Sequence, residues 1–291
     1  MATLSDHGLY SLVLLLSPTA PATLPATMGH QAHAAFLDAI RAVDPALSAA
    51  LHAEGAAVRP FTVSPLLGAG RPADGRLALA PEREYALRCT ILDGVVYEGF
   101  MARFLRSEER PVIRLGRAEL LVKEVRVTPG SHPWAGYTSW ARLAAEARPE
   151  PLVTLAFTSP TAFSFGQRRW GKQVVVLPEP RLVFGSLVRT WNALAPAALR
   201  IDAQALRAYL EENAVLTHID HLRTEMLQFQ EAPQLGFLGQ VTFGFMDDDQ
   251  GIRCQLNALA DFAFYAGVGM KTAMGMGQCR RVGRSASVLE G

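Results

Sequence analysis

Cysteine is scarce. The three that occur, Cys89, Cys254 and Cys279, are scattered with no CxxC spacing, which argues against a zinc ribbon or a dithiol redox centre and fits a reducing cytoplasm. Charge of one sign is not in excess either. Twenty-eight basic residues against 27 acidic leave a formal net charge of +1, so no global field draws the chain to nucleic acid or to a membrane. Any polyanion site has to be a local patch. Long apolar runs are missing as well: the strongest early one, Leu12 to Leu16, falls far short of the roughly 20 residues that cross a bilayer. Asp6 and His7 stand before it where a signal peptide carries basic residues. A soluble, cytoplasmic protein with no membrane partner is expected.

What is present suffices for a buried core. Of 291 residues, 49% are hydrophobic, which excludes a disordered chain, and the length suggests about two domains at roughly 150 residues each. Leu9 to Ser17 is a Leu-rich run stopped by Pro18 and reads as a buried strand. Gly29 to Val43 places Phe36, Ile40 and Val43 at helical spacing. Asp44 followed by Pro45 is an N-cap with a first-turn proline, and Gly55 is a plausible stop, so a second short helix is predicted over Pro45 to Glu54. Strands at Phe61–Ser64 and Tyr85–Leu92, a helix over Gly94–Arg106 and a strand at Leu120–Val127 complete a strand-helix-strand-strand-helix-strand order.

The proline-rich stretch from Thr128 to Pro151 is the expected boundary, dividing the chain into domains over 1–135 and 145–291. The second half repeats the order. A strand at Leu152–Phe157 is followed by a charged loop over Phe165–Gly171, a short strand at Val174–Leu177 and a helix over Pro180–Leu194. Strands at His221–Phe229 and Phe237–Phe245 lead to a last helix, Gln255–Ala266. Hairpin-linked strands inside each half predict an α+β fold of split βαβ units rather than a doubly wound sheet.

After that helix the segment Gly267 to Gly277 reads GVGMKTAMGMG, with Gly267, Gly269, Gly275 and Gly277 around Lys271. Such glycine density lets backbone amides approach a phosphate, and its bland alternative is a flexible turn. A dinucleotide fingerprint needs an acidic residue about 20 positions on, and a nucleotide P-loop needs Gly directly before Lys, where Met270 stands. Neither fits. Lys271, Arg280, Arg281 and Arg284 make the segment from Phe262 to Leu289 wholly basic, which suits a sugar-phosphate backbone. Arg168, Arg169 and Lys172, in QRRWGK, form a second acid-free patch where Trp170 could stack on a base or turn into the core.

His30 and His33 share one face of the first helix. His33 is in register with Phe36, Leu37 and Ile40, so a hydrogen-bonded core imidazole is its default reading. His52 ends the second helix, where the dipole favours a proton-donating imidazolium. The HQAH spacing lacks the Glu and the four-residue step of a metalloprotease helix, and no cysteine lies near; His218 and His221 read as an exposed pair beside Asp220. No metal and no cofactor are expected.

Together these parts carry a resemblance. YAGVGMKTAMGMGQCRR preceded by GFLGQVTFGF, SPTAFSF before the basic loop, LPEPRLVFGSLVRTWN, and the N-terminal HAAFLDAIRAVDPALSAALHAEGAAVRPFTVSPL resemble, in order and over most of the chain, the CRISPR-associated repeat-processing endoribonucleases of the Cas6 family. The resemblance implies two tandem ferredoxin-like (RRM-like) domains facing each other. It also implies metal-independent cleavage of CRISPR precursor RNA within its repeats. Proton transfer falls on His52, assisted by His33, with His30 at the scissile phosphate. Gly267, Gly269, Lys271, Gly275 and Gly277 match the RNA-contacting loop, and Arg168, Arg169 and Lys172 the basic hairpin. The implied partners are precursor and mature repeat RNA and the subunits of a CRISPR effector complex, with the protein a monomer or a homodimer. RNA supplies its own nucleophile, the 2′-hydroxyl, so in-line geometry, a base, an acid and cations suffice, leaving a 2′,3′-cyclic phosphate and a 5′-hydroxyl. The same patches also suit a non-catalytic RNA-binding subunit, or a small enzyme holding a phosphorylated substrate in the glycine tail.

Overall fold

The computed structural model describes residues 8–53, 58–105, 111–169, 171–229 and 232–283. Gly55, Trp170 and Arg284 lie outside the described residues. The first half runs β1 (Gly8–Pro18), β2 (Ala22–Pro25), α1 (Gly29–Arg41), α2 (Pro45–His52), β3 (Phe61–Val63), β4 (Arg76–Leu79), β5 (Tyr85–Ile91), α3 (Gly94–Leu105), β6 (Val112–Leu115), β7 (Ala118–Arg126) and β8 (Gly136–Ser139). Its antiparallel sheet has the order β3-β5-β1-β7-β6, and β8 adds to β1. The small β2–β4 ribbon stands apart.

The second half runs α4 (Trp140–Glu146), β9 (Leu152–Thr161), β10 (Phe163–Arg168), β11 (Gly171–Val175), α5 (Pro180–Leu194), α6 (Ala203–Asn213), β12 (Ala214–Gln228), β13 (Pro233–Phe245), α7 (Gln250–Ala266) and β14 (Cys279–Val282). Its sheet order is β12-β13-β9-β14, again antiparallel. Apart from small additions, each half is a strand-helix-strand-strand-helix-strand unit whose first strand lies between the third and the fourth. That is the ferredoxin-like arrangement, and the protein is α+β with two such domains in tandem.

Alternation explains how the halves join. Along β1, Leu12, Leu14 and Leu16 enter the core under α1 and α3, while Leu9 joins the core of the second half. Both faces of the strand are covered, so it reads as an unbroken apolar run rather than an alternating one. On β5, Tyr85, Leu87, Cys89 and Ile91 face that helical core, and Arg88 and Thr90 turn toward α7. α2 begins as its residues dictate: Asp44 accepts from the amide of Leu47 at 2.9 Å, with Pro45 in the first turn.

Several expectations shift. β8 pairs Gly8–Ser11 with Gly136–Ser139, so the first sheet extends past residue 135, while Trp140 is buried in the second core. The charged loop over Phe165–Gly171 is instead a hairpin, with Gln167 opposite Lys172 and Arg168 opposite Gly171. Its ladder is carried by the backbone while the side chains of Phe165, Gln167, Arg168 and Arg169 stay in solvent, so polarity misreads as loop. The strand expected from His221 begins at Ala214, because β12 is a largely exposed edge strand with no apolar alternation to mark its start. β14 is too short and too basic to show periodicity, yet it closes the sheet against β9.

Candidate active site

The glycine-rich segment leaves α7 and crosses into the first domain. Its single 3₁₀ turn, Thr272–Met274, lies against α1 and β3, and Ala273 is buried in the first domain's core. The approach is close enough that a Cβ on Gly29, the first residue of α1, would stand 2.1 Å from the Met274 carbonyl oxygen. Only glycine fits there. This close approach carries the helix face bearing His30 and His33 against the loop.

His33 is half-buried and its Nδ1 lies 3.0 Å from the Ala273 carbonyl oxygen. A carbonyl can only accept, so in the neutral ring Nδ1 carries the proton and Nε2 is left as the basic nitrogen. Burial pushes the His33 pKa below the ordinary histidine value, and the electrostatic influence of Arg59, His52 and His30 pushes the same way; the Ala273 hydrogen bond opposes them. At neutral pH the ring is a neutral base held in one tautomer. Phe61 lies 5.3 Å from it, centroid to centroid.

His30 meets Phe229 edge-on at 5.8 Å, and its buried Nε2 has no hydrogen-bond partner among the described residues. Lys271 stands over the other side of this cluster, Nζ 4.3 Å from the Phe229 centroid. His52 is exposed at the last turn of α2, where Arg59 donates to the carbonyls of Leu51 and His52. The three histidines thus belong to one edge of the first domain, with His33 next to the loop and His52 on its solvent side. Arg59 and Phe229 join them, although neither carries a local sequence signal.

The loop's glycines have a different task from the one their spacing suggests. All four have positive φ, and a Cβ would lie 2.4 Å from the Ala162 oxygen at Gly269 and 2.2 Å from the Val268 oxygen at Gly277. Their amides are spent inside the protein: Gly267 donates to Ala263, Gly269 to Ser186 Oγ and Gly277 to Pro160. Three of the four therefore serve the loop's own fold, and their amides are not free to cradle a phosphate. Gly275 differs, with no atom nearer than 3.6 Å to its Cβ position.

The basic tail is likewise turned inward in part. Arg281 binds Asp261, Asn257 and Glu150, and Arg280 lies 5.0 Å from the Trp134 ring. Arg168, Arg169 and Lys172 remain exposed at the tip of the β10–β11 hairpin. An apolar cluster connects the pieces: Val174 at the hairpin base, Met270 and Met276 of the loop, and Phe229 beside His30. His218 and His221 sit on β12, where His221 Nε2 is 3.3 Å from Asp220. Among the described residues, no three His, Cys, Asp or Glu side chains gather as a metal centre would need, and no helix is long and apolar enough to cross a membrane.

Behind the loop a buried polar network stitches the domains. Arg88 is fully buried, donating Nε to Ser11 Oγ at 2.8 Å, Nη1 to Gln278 Oε1 at 2.5 Å and Nη2 to the Phe264 carbonyl. Its guanidinium lies 4.6 Å from the Trp134 ring and 4.5 Å from the Phe264 ring. Burial pulls its pKa down to about 9, so it is still a cation at neutral pH. Gln278 follows the glycine-rich segment directly and also donates to the Val63 carbonyl at 3.2 Å. A single charge on an otherwise apolar β5 was the available signal.

The family model for the CRISPR Cas6 N-terminal domain matches residues 9–145, and that for the CRISPR-associated endoribonuclease Cas6 matches residues 155–279. The curated CRISPR-associated endoribonuclease Cas6 of Streptococcus thermophilus is 28% identical over 128 residues, 44% of this chain. The match spans about half of that relative's length, 49%. Among solved structures, Thermus thermophilus Cas6 is 30% identical with a TM-score of 0.71, covering 95% of this chain and 99% of its own. The product complex of the same protein reaches a TM-score of 0.80 at 29% identity, covering 96% and 100%. A substrate-mimic complex of a second Cas6 gives 0.68 at 27%, covering 95% and 100%.

Proposed function

Since this chain belongs to the Cas6 family of CRISPR-associated endoribonucleases, we propose that it cuts CRISPR precursor RNA within the repeats by attack of a ribose 2′-hydroxyl on the adjacent phosphodiester. The 2′-oxygen–phosphorus bond forms and the phosphorus–5′-oxygen bond breaks, leaving a 2′,3′-cyclic phosphate and a 5′-hydroxyl. His33 Nε2 takes the 2′-hydroxyl proton and His52 gives a proton to the departing 5′-oxygen. His30 lies beside the scissile phosphate with Lys271. Arg168, Arg169 and Lys172 hold the flanking RNA, and the Gly267–Gly277 loop meets it through Lys271 and Gly275.

The observation that carries this reading is the clamp of His33 Nδ1 on the Ala273 carbonyl. It fixes which nitrogen is basic, and it does so with an atom of the loop that the RNA would lie along. Burial adds to it by keeping the ring unprotonated at neutral pH. Both proton transfers are within the reach of imidazole chemistry, so the step needs no metal.

The test is cleavage of repeat transcripts in chelator with end-group analysis of the fragments. A discrete cut bearing a cyclic phosphate, slowed by about 10²-fold or more in His33→Ala and His52→Ala, is expected. An intact, gel-shifted transcript makes the protein a binding subunit, and a divalent-ion-dependent cut with a 3′-hydroxyl end replaces the mechanism.

A further inference from the structure

α5 contains a glycine that its helix does not need. Gly185 lies mid-helix in an otherwise regular amphipathic segment, a position where glycine is a poor helix former. No neighbour demands its smallness: a Cβ built there meets nothing within 4 Å. What it borders instead is a cleft of about 530 Å³ between α5, α6, the base of the β10–β11 hairpin and the glycine-rich loop. That volume is within the range of small-molecule sites, roughly 300–1,000 Å³.

The lining has two characters. Phe163, Leu206 and Leu210 are buried and apolar, while Phe165 on β10 is 46% exposed. Arg181 and Arg189 are exposed at the rim; Arg181 is paired with Glu179, whereas Arg189 makes no ion pair among the described residues. β10 also carries Arg168 three residues beyond Phe165, so the cleft opens beside the hairpin assigned to RNA. An apolar floor with a half-exposed aromatic ring and a cationic rim matches a nucleotide, which has a π face at one end and an anion at the other. An apolar peptide side chain would use the floor and leave Arg189 without a counter-charge.

We propose that this cleft takes one unstacked nucleotide of the bound RNA, its base against Phe165 and the apolar floor and its phosphate toward Arg189, and that Gly185 is bare in order to admit it. The assignment rests on the RNA-cleaving reading above. It gives the protein a base-reading subsite on the second domain, separate from the histidine edge.

The experiment uses a repeat transcript that the wild-type protein cleaves, made uncleavable by a 2′-deoxy sugar at the cut and carrying 2-aminopurine at each unpaired position in turn. Wild-type protein is expected to change the emission of one position. Gly185→Leu fills the cleft and is expected to erase that change and weaken binding by about tenfold or more, the effect of losing one stacked base. Its melting temperature should not fall, since leucine is the better helix former. Ala203→Leu fills the cleft from α6 and should act the same way should Gly185→Leu fold poorly. Unaltered affinity and emission in the folded filled variants overturn the assignment and leave the cleft to another occupant. Failure of wild-type protein to cut any repeat transcript overturns the underlying reading instead.

Discussion

Replacing Gly277 by alanine separates two uses of a glycine-rich loop. If glycine is there for a ligand, alanine costs little in the free protein. Here Gly277 has φ +71° and its Cβ would stand 2.2 Å from the Val268 carbonyl oxygen. Backbone cannot yield as a flexible side chain does, and the Val268 amide is bound to the Gly277 carbonyl at 2.8 Å. The left-handed backbone costs a side chain about 1–2 kcal/mol, and forcing a methyl into a filled space adds about 1–3 kcal/mol. The expected loss is therefore about 2–5 kcal/mol, a large share of the roughly 5–15 kcal/mol that holds a typical protein folded. Gly275→Ala is the control: φ is +92° and the nearest atom is 3.6 Å away, so only the conformational cost of about 1–2 kcal/mol applies. Urea unfolding followed by tryptophan fluorescence measures both. Equal losses in the two variants would falsify the reasoning. Where Gly277→Ala is still folded, its cleavage rate should fall further than its folded fraction, because the loop carries the carbonyl that orients His33.

His33→Ala should slow cleavage by about 10²-fold or more, and the wild-type rate should fall on its acid limb only below pH 6.5, because burial lowers the His33 pKa. The same shift makes the fold lose stability as pH drops below 6.5, where the unfolded chain takes up a proton before the native ring does; an acid limb above 6.5 refutes the assignment. Replacing Arg168 and Arg169 by alanine should weaken repeat binding and flatten its salt dependence, by about 0.7 in slope for each phosphate of single-stranded RNA that the protein no longer neutralises. An unchanged slope removes the hairpin from the interface. Arg88→Met strips the donor from Gln278 Oε1 and the Phe264 carbonyl, at about 1–3 kcal/mol for each buried acceptor left unmade; an unaltered unfolding midpoint counts against the stitch.

Periodicity made the buried elements legible. β1, α1, α5 and α7 announce themselves through apolar spacing, and the Asp44–Pro45 start of α2 through its cap. The first half of β12, Ala214 to Asp220, did not, because an exposed edge strand has no reason to alternate, nor did β14, whose pairing with β9 is a tertiary fact. The site divides in the same way. The helical register of His33 pointed to a buried, hydrogen-bonded imidazole, and the ring is half-buried and bonded, yet its partner lies 240 residues along the chain, beyond any local signal. Glycine spacing marked a close approach without showing what is approached: at Gly269 and Gly277 the loop comes up against its own chain, at Ala162 and Val268.

The reach of the second domain's loop into the first has a consequence for biosynthesis. All three histidines leave the ribosome long before residue 273, and until that residue emerges nothing fixes the His33 tautomer. A nascent or truncated chain that stops before residue 273 carries the imidazoles without the carbonyl that bonds His33, so on the proposed mechanism it is expected not to cut RNA until the loop has emerged.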